Sequence, residues 1–101
     1  MKTVIETPTF QKQADKIWCE DDRLTFISFI SENSRQGDVI SGAQGLRKIR
    51  WHTRQSGKRS GVRIIYFNQN EQDVIYLLAI YSKSKKENTT HKELKQVKKE
   101  I

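Results

Sequence analysis

The chain has one cysteine and one proline in 101 residues. A lone thiol, Cys19, closes no internal disulfide, which argues against a small secreted domain stapled by cystines. One cysteine and two widely separated histidines, His52 and His91, fall short of a structural zinc set. No metal or other cofactor is therefore expected. The longest apolar run, Val74 to Ile80, is far too short to cross a bilayer, so no membrane partner is expected. The opening MKTVIETPTF holds no hydrophobic run of signal-peptide length, and a cytoplasmic location follows as the expectation. Hydrophobic residues make up only 35%, yet they cluster with clear periodicity, which favours a compact fold with a large charged surface over disorder. Residues 1–101 are expected to form a single domain with one modest core.

The most telling absence is of acid. From Val39 to Asn70 there is no Asp or Glu, while Arg47, Lys48, Arg50, Arg54, Lys58, Arg59 and Arg63 all fall there. Net charge is −2 over residues 1–41, +7 over 42–70 and +2 over 71–101, so one stretch supplies the whole excess. Cations folded side by side repel one another, and a polyanion relieves that repulsion by displacing screening ions. The stretch reads as a nucleic-acid surface. A solvated sheet face with charges spaced for solubility is the plainer alternative.

Local patterns give the element order. Thr3 to Glu6 is a short β-type run, and Thr7-Pro8 reads as a helix start. Phe10, Ala14, Ile17 and Trp18 then form one helical stripe. A second helix is expected from Asp21 or Asp22, carrying Leu24, Phe26, Ile27, Phe29 and Ile30 and ending before Gly37. The period then changes to that of strands: Leu46 to His52, Val62 to Phe67 and Val74 to Tyr81. Arg54 to Gly61 and Asn68 to Asp73 are the joining loops of an antiparallel meander. Lys83 to Asn88 is a lysine-rich linker, followed by a helix with a capping box at Thr90 and Glu93 and an apolar face of Leu94, Val97 and Ile101. Residues 83–101 thus form a basic C-terminal segment and helix. The order β-α-α-β-β-β-α predicts an α+β fold, with a small twisted antiparallel sheet packed on an N-terminal helical hairpin.

Alternation within the first meander strand puts Lys48, Arg50 and His52 on one face, with Ile49, Trp51 and Arg47 on the other. Arg63 continues the cationic row on the next strand, because Val62, Ile64 and Tyr66 take the opposite side. Three cations on adjacent strands come within reach of one phosphate. RNA carries its own nucleophile, the ribose 2′-hydroxyl, and arginines stabilise the charge that gathers on the phosphate. Arg63 is assigned that role, with Arg50 or Arg59 assisting. Lys48 is a candidate general base, and His52 is its rival for proton transfer. Trp51, Tyr66, Phe67, Tyr76 and Tyr81 at alternating positions read as core before they read as base-stacking residues.

Four stretches in order carry a resemblance: Gly37-Asp38-Val39-Ile40, Gly45 to Arg50, Gly57 to Tyr66, and Tyr76 to Lys83. Together they resemble RelE/HigB-type toxins of bacterial type II toxin–antitoxin pairs, in the HigB-like branch. The resemblance implies a RelE-like fold and ribosome-dependent cleavage of messenger RNA in the A site. It also implies silencing by a cognate, HigA-like antitoxin. On this basis Lys48, Arg50, Arg63 and Lys83 match catalytic positions, while Lys58 and Arg59 match a basic loop. Arg47, Arg54, Lys85 and Lys86 complete the expected RNA-binding set. Many RelE proteins place a tyrosine early in the C-terminal segment, whereas Glu87, Asn88, Thr89 and Thr90 stand there in this chain. A non-catalytic RNA- or DNA-binding module and an inactive toxin homologue are the alternatives.

Overall fold

Strand β1, Thr3–Glu6, leads into helix α1, Pro8–Asp15, in the computed structural model, which describes residues 1–53, 61–82 and 89–101. Thr7 caps α1 by accepting the Phe10 N–H, and Pro8 opens it, as the sequence predicts. The helix stops at Asp15, however, so Ile17 and Trp18 follow it rather than extend it. Helix α2, Glu20–Glu32, starts slightly earlier than expected: Cys19 takes the N-cap position, its thiol donating to the Asp22 carboxylate at 3.5 Å rather than accepting a backbone N–H. Glu20, Asp21 and Asp22 fill the first turn, where carboxylates meet the positive end of the helix dipole. The expected stripe on α2 is interrupted at Leu24, which is half exposed.

The meander appears as β3, Arg47–Trp51; β4, Val62–Gln69; and β5, Val74–Ser82. Two further elements leave no signal in the sequence pattern. A two-residue strand, β2 (Asp38–Val39), pairs with β3, and a 3-10 turn over Asn70–Gln72 fills most of the expected second loop. Asn68 and Gln69 belong to β4 rather than to that loop. The sheet order is β1-β5-β4-β3-β2, with β1 parallel to β5 and the other pairs antiparallel. Helix α3, His91–Lys98, carries the full capping box between Thr90 and Glu93. Leu94 and Val97 are buried as expected, whereas Ile101 lies beyond the helix and is exposed.

Each face of the sheet has its own core. Phe10, Trp18, Phe26 and Ile30 from the α1–α2 side pack on Ile49, Ile64, Tyr66 and Leu77, with edge and tilted ring contacts linking Phe10, Trp18 and Phe26. On the other face α3 brings Leu94 and Val97 against Leu46, Ile65, Leu78, Ala79 and Tyr81. A register shift between Ile65 and Tyr66 leaves Leu78 as an extra residue on β5. This β-bulge changes parity, so Tyr76, Leu78, Ala79 and Tyr81 all serve the α3 face while Ile75, Leu77 and Ile80 serve the other. Plain alternation along Val74 to Tyr81 does not reveal it. Gly61, with φ of +73°, enters β4 where an added Cβ would lie 2.4 Å from the Trp51 carbonyl oxygen, so β3 and β4 can close together only with glycine there.

Candidate nucleic-acid interface

The β3–β4 register sets the site. Arg50 is the direct partner of Arg63, Lys48 of Ile65, and on the far side of β4 Arg63 partners Tyr81. Directly opposed residues of an antiparallel pair project to the same face. Arg50, Arg63 and Tyr81 therefore form one row across three strands on the α3 face, with Lys48 two residues along β3. The strands contribute no acid here, since Arg47–Trp51, Val62–Gln69 and Val74–Ser82 contain neither Asp nor Glu.

Burial separates the two arginines. Arg50 is exposed, while Arg63 is only 6% exposed. Burial pulls the Arg63 guanidinium below its ordinary pKa, the Arg50 charge adds to that effect, and Tyr81 opposes it. Arginine stays protonated all the same. The result is a desolvated cation beside a like charge, an arrangement that an anion stabilises through paired N–H contacts. Lys48 is half-buried on the same face, and His52 is exposed one residue past the end of β3.

Arg47 lies elsewhere. It faces the helical side, as its parity predicts, and its guanidinium donates to the carbonyls of Gly37 at 2.7 Å and Arg35 at 3.3 Å. Those bonds belong to a clamp on the segment leading into β2. Tyr66 Oη accepts from the Gly37 N–H at 2.9 Å and donates to the Ser34 carbonyl at 2.8 Å, and Asn68 Nδ2 donates to the same carbonyl at 2.9 Å. The structure thus brings Lys48, Arg50 and Arg63 together and sets Arg47 apart. Arg54, Lys58, Arg59, Lys83, Lys85 and Lys86 lie outside the described residues.

Two neighbours of the cationic row escape the sequence reading. Alternation assigns Tyr81 to the core, and its cross-strand placement beside Arg63 depends on register. Asp38 is the cross-strand partner of Lys48 on β2, a strand too short to leave a periodic signal.

Comparison with known proteins agrees with this architecture. The family model described as RelE toxin of the RelE/RelB toxin–antitoxin system matches residues 2–100. A doubly substituted mutant of the E. coli toxin RelE, solved in the free state, is similar with a TM-score of 0.61 and 16% identity, over 98% of this chain and 92% of that one. The intact E. coli RelBE toxin–antitoxin complex gives a TM-score of 0.62 and 15% identity, over 79% of this chain and 94% of the matched chain. At these identities the structural likeness speaks for the fold. Among the described residues, no helix is long and apolar enough to cross a membrane.

Proposed function

This chain belongs to the RelE toxin family, and on that premise we propose that it is a ribosome-dependent endoribonuclease that cuts messenger RNA in the A site. The observation that carries the proposal is the Arg50–Arg63 pair, with Arg63 buried against a like charge on a face whose three long strands hold no acid. Such a pair is built for a phosphodiester. The ribosome presents a single-stranded codon, and the row grips the scissile phosphate so that the adjacent 2′-oxygen lies in line with it. The 2′-oxygen forms a bond to phosphorus, the bond to the 5′-oxygen breaks, and a cyclic phosphate is left on the upstream fragment. Arg63 and Arg50 neutralise the charge that grows on the phosphoryl oxygens. Lys48 and His52 are the groups of the row that can move a proton, one from the nucleophile or one to the leaving oxygen. The chemistry needs no metal in this scheme.

Residues 1–101 act as one toxin domain, working in the cytoplasm where its substrate is. Lys83, Arg54, Lys58, Arg59, Lys85 and Lys86 extend the RNA surface in this proposal, while Arg47 holds the approach to β2. A cognate antitoxin of HigA-like type silences the protein. The likeness to a chain of the E. coli RelBE toxin–antitoxin complex supports such a partner.

Primer extension on a defined message in a purified translation system tests the proposal, with wild type and Arg63→Ala each assayed with and without ribosomes. The expected result is cleavage within A-site codons that needs both ribosomes and Arg63. Ribosome binding or translation arrest with an intact message would instead make the protein a non-catalytic binder.

A further inference from the structure

We infer that the row Ile5–Tyr76–Phe67, between helix α3 and the β4–β5 turn, is where the cognate antitoxin docks a short amphipathic helix with an acidic flank. The inference rests on the antitoxin partner proposed above and deepens that reading by giving the partner a place.

Register builds the row. Ile5 of β1 is the direct partner of Tyr76 on β5, and Tyr76 is the partner of Phe67 on β4. Val4 packs on the helical-side core and Glu6 pairs with Arg23 of α2, so Ile5 between them projects to the opposite face. Phe67 and Tyr76 lie on that same face, half-buried at the margin of the α3 core. Ile5 is 38% exposed. Three large apolar side chains thus stand in line across three strands, with water on part of each.

Helix α3 leaves the row open because it is short and seated elsewhere. Leu94 and Val97 hold it over Leu46, Ile65, Leu78 and Ala79. From Leu78 back to Val74, β5 runs about 13 Å, and packed helices lie about 8–10 Å apart. The face therefore has room for one more helix beside α3. The row itself spans two strand spacings, about 10 Å, which is the rise from i to i+7 of a helix. Side chains at i, i+3 or i+4, and i+7 meet Ile5, Tyr76 and Phe67 in turn.

Charge selects the occupant. The Lys98 ammonium lies 4.7 Å from the centre of the Phe67 ring, and Lys95 and Lys99 line a recess with it beside Gln44. The acids of this segment turn elsewhere, Glu93 into the capping box and Glu100 onto Thr9. The flank next to α3 is thus basic and complements acid. The other flank carries exposed Glu71 and Asp73 on the β4–β5 turn, where Lys2 donates to Asn70 at 3.4 Å. A protein helix can set acids toward α3 and a neutral side toward the turn, whereas an RNA strand brings phosphate to both. The aliphatic Ile5 also offers no plane for a base to stack on. Phe67 is about 13 Å along β4 from Arg63, so the partner is held through a face that the proposed chemistry does not use.

Calorimetric binding of the antitoxin from the same operon tests this with Ile5→Glu and Tyr76→Glu. Each should weaken the complex by about 30-fold or more, the scale of a lost interface anchor. Lys95→Glu combined with Lys99→Glu should weaken it as well, and less so at high salt. Leu24→Glu alters a leucine that is 51% exposed on α2, across the sheet, and should bind like wild type. Melting curves show which variants fold. If either glutamate variant on the row unfolds, Ile5→Thr keeps a β-branched residue there and should still weaken binding several-fold. Wild-type affinity in the folded row variants overturns the inference, and so does an equal loss in Leu24→Glu. Toxin that dimerises alone in sedimentation and becomes monomeric on Ile5→Glu would assign the face to a second copy. Full antitoxin binding with lost ribosome affinity would assign it to RNA. Either result overturns the inference while leaving the partner in place. A wild type that binds no antitoxin overturns the partner reading itself and takes this one with it.

Discussion

Arg50 on β3 and Arg63 on β4 stand directly opposite each other, one exposed and the other buried. Like charges in that relationship repel, and the cost of a directly opposed pair is roughly 0.2–1 kcal/mol. Arg50→Ala should therefore raise stability by about that amount in low-salt denaturant titrations. Millimolar pyrophosphate should raise the melting temperature of wild type and do much less for the variant. A destabilised Arg50→Ala, or equal shifts in both proteins, would mean that the pair is not an anion site.

Charge alone is not what the proposed chemistry asks of Arg63. Its planar fork can hold two phosphoryl oxygens at once, whereas a lysine offers a point charge. Arg63→Lys should keep ribosome affinity within a few-fold, while removal of a single transition-state donor typically costs on the order of 100- to 1,000-fold in rate. Cleavage and ribosome binding measured on the same preparations separate the two effects. Wild-type cleavage by the lysine variant would reduce Arg63 to a simple counter-charge.

Tyr66 makes a prediction about pH. Burial raises the pKa of its phenol above the ordinary value, against smaller opposing effects from the Gly37 N–H and Arg47 and with a small further push upward from the Asp38 charge. An acid whose pKa is higher folded than unfolded binds more protons in the folded state between the two values. Its contribution is complete below the ordinary phenol value near 10 and is lost as pH climbs above it. Wild type should thus lose stability steeply above about pH 10, and Tyr66→Phe should flatten that slope. At neutral pH the variant should be less stable by about 1–3 kcal/mol, because the buried Gly37 N–H loses its acceptor. Denaturant titrations from pH 7 to 11 check both signs.

These three residues also show where the sequence was legible. Parity along β3 and β4 is a local property, so the cationic face of Lys48, Arg50 and Arg63 can be read from alternation, and so can the inward turn of Tyr66. The Thr90–Glu93 capping box is equally local and appears where expected. What escapes depends on contacts distant in sequence. The placement of β2 is set by Tyr66 and Arg47 reaching back to Gly37, 29 and 10 positions away. A strand of two residues has no period of its own, so in the sequence Asp38 reads as the last acid before a basic stretch rather than a neighbour of Lys48. The bulge at Leu78 likewise depends on how β5 meets β4 and leaves no mark in the hydrophobic pattern of Val74 to Tyr81.

Helix α3 supplies the last prediction. The acids in and just beyond it are spent internally: Glu93 in the first turn closes the capping box, and the Glu100 carboxylate accepts the Thr9 N–H at 3.0 Å and the Thr9 hydroxyl. Lys98 is partly committed as well, donating to the Gln44 carbonyl at 2.9 Å with its ammonium 4.7 Å from the centre of the Phe67 ring. Lys92 and Lys95 on the helix, and Lys99 at its C-cap, remain exposed, and the helix packs against the same sheet face as the cationic row. On the ribosome such a ridge gains counter-ion release and plays no part in bond breaking. Changing all three to glutamine should weaken ribosome binding and reduce the log–log salt slope by roughly 2–3, at about 0.7–0.9 for each phosphate no longer neutralised. The cleavage rate of bound message at saturating ribosomes should stay at the wild-type level. Folding should be little affected, since none of the three packs in the core. An unchanged salt slope would show that the ridge is only a solvated face, and a reduced rate with intact binding would bring the helix into the chemistry.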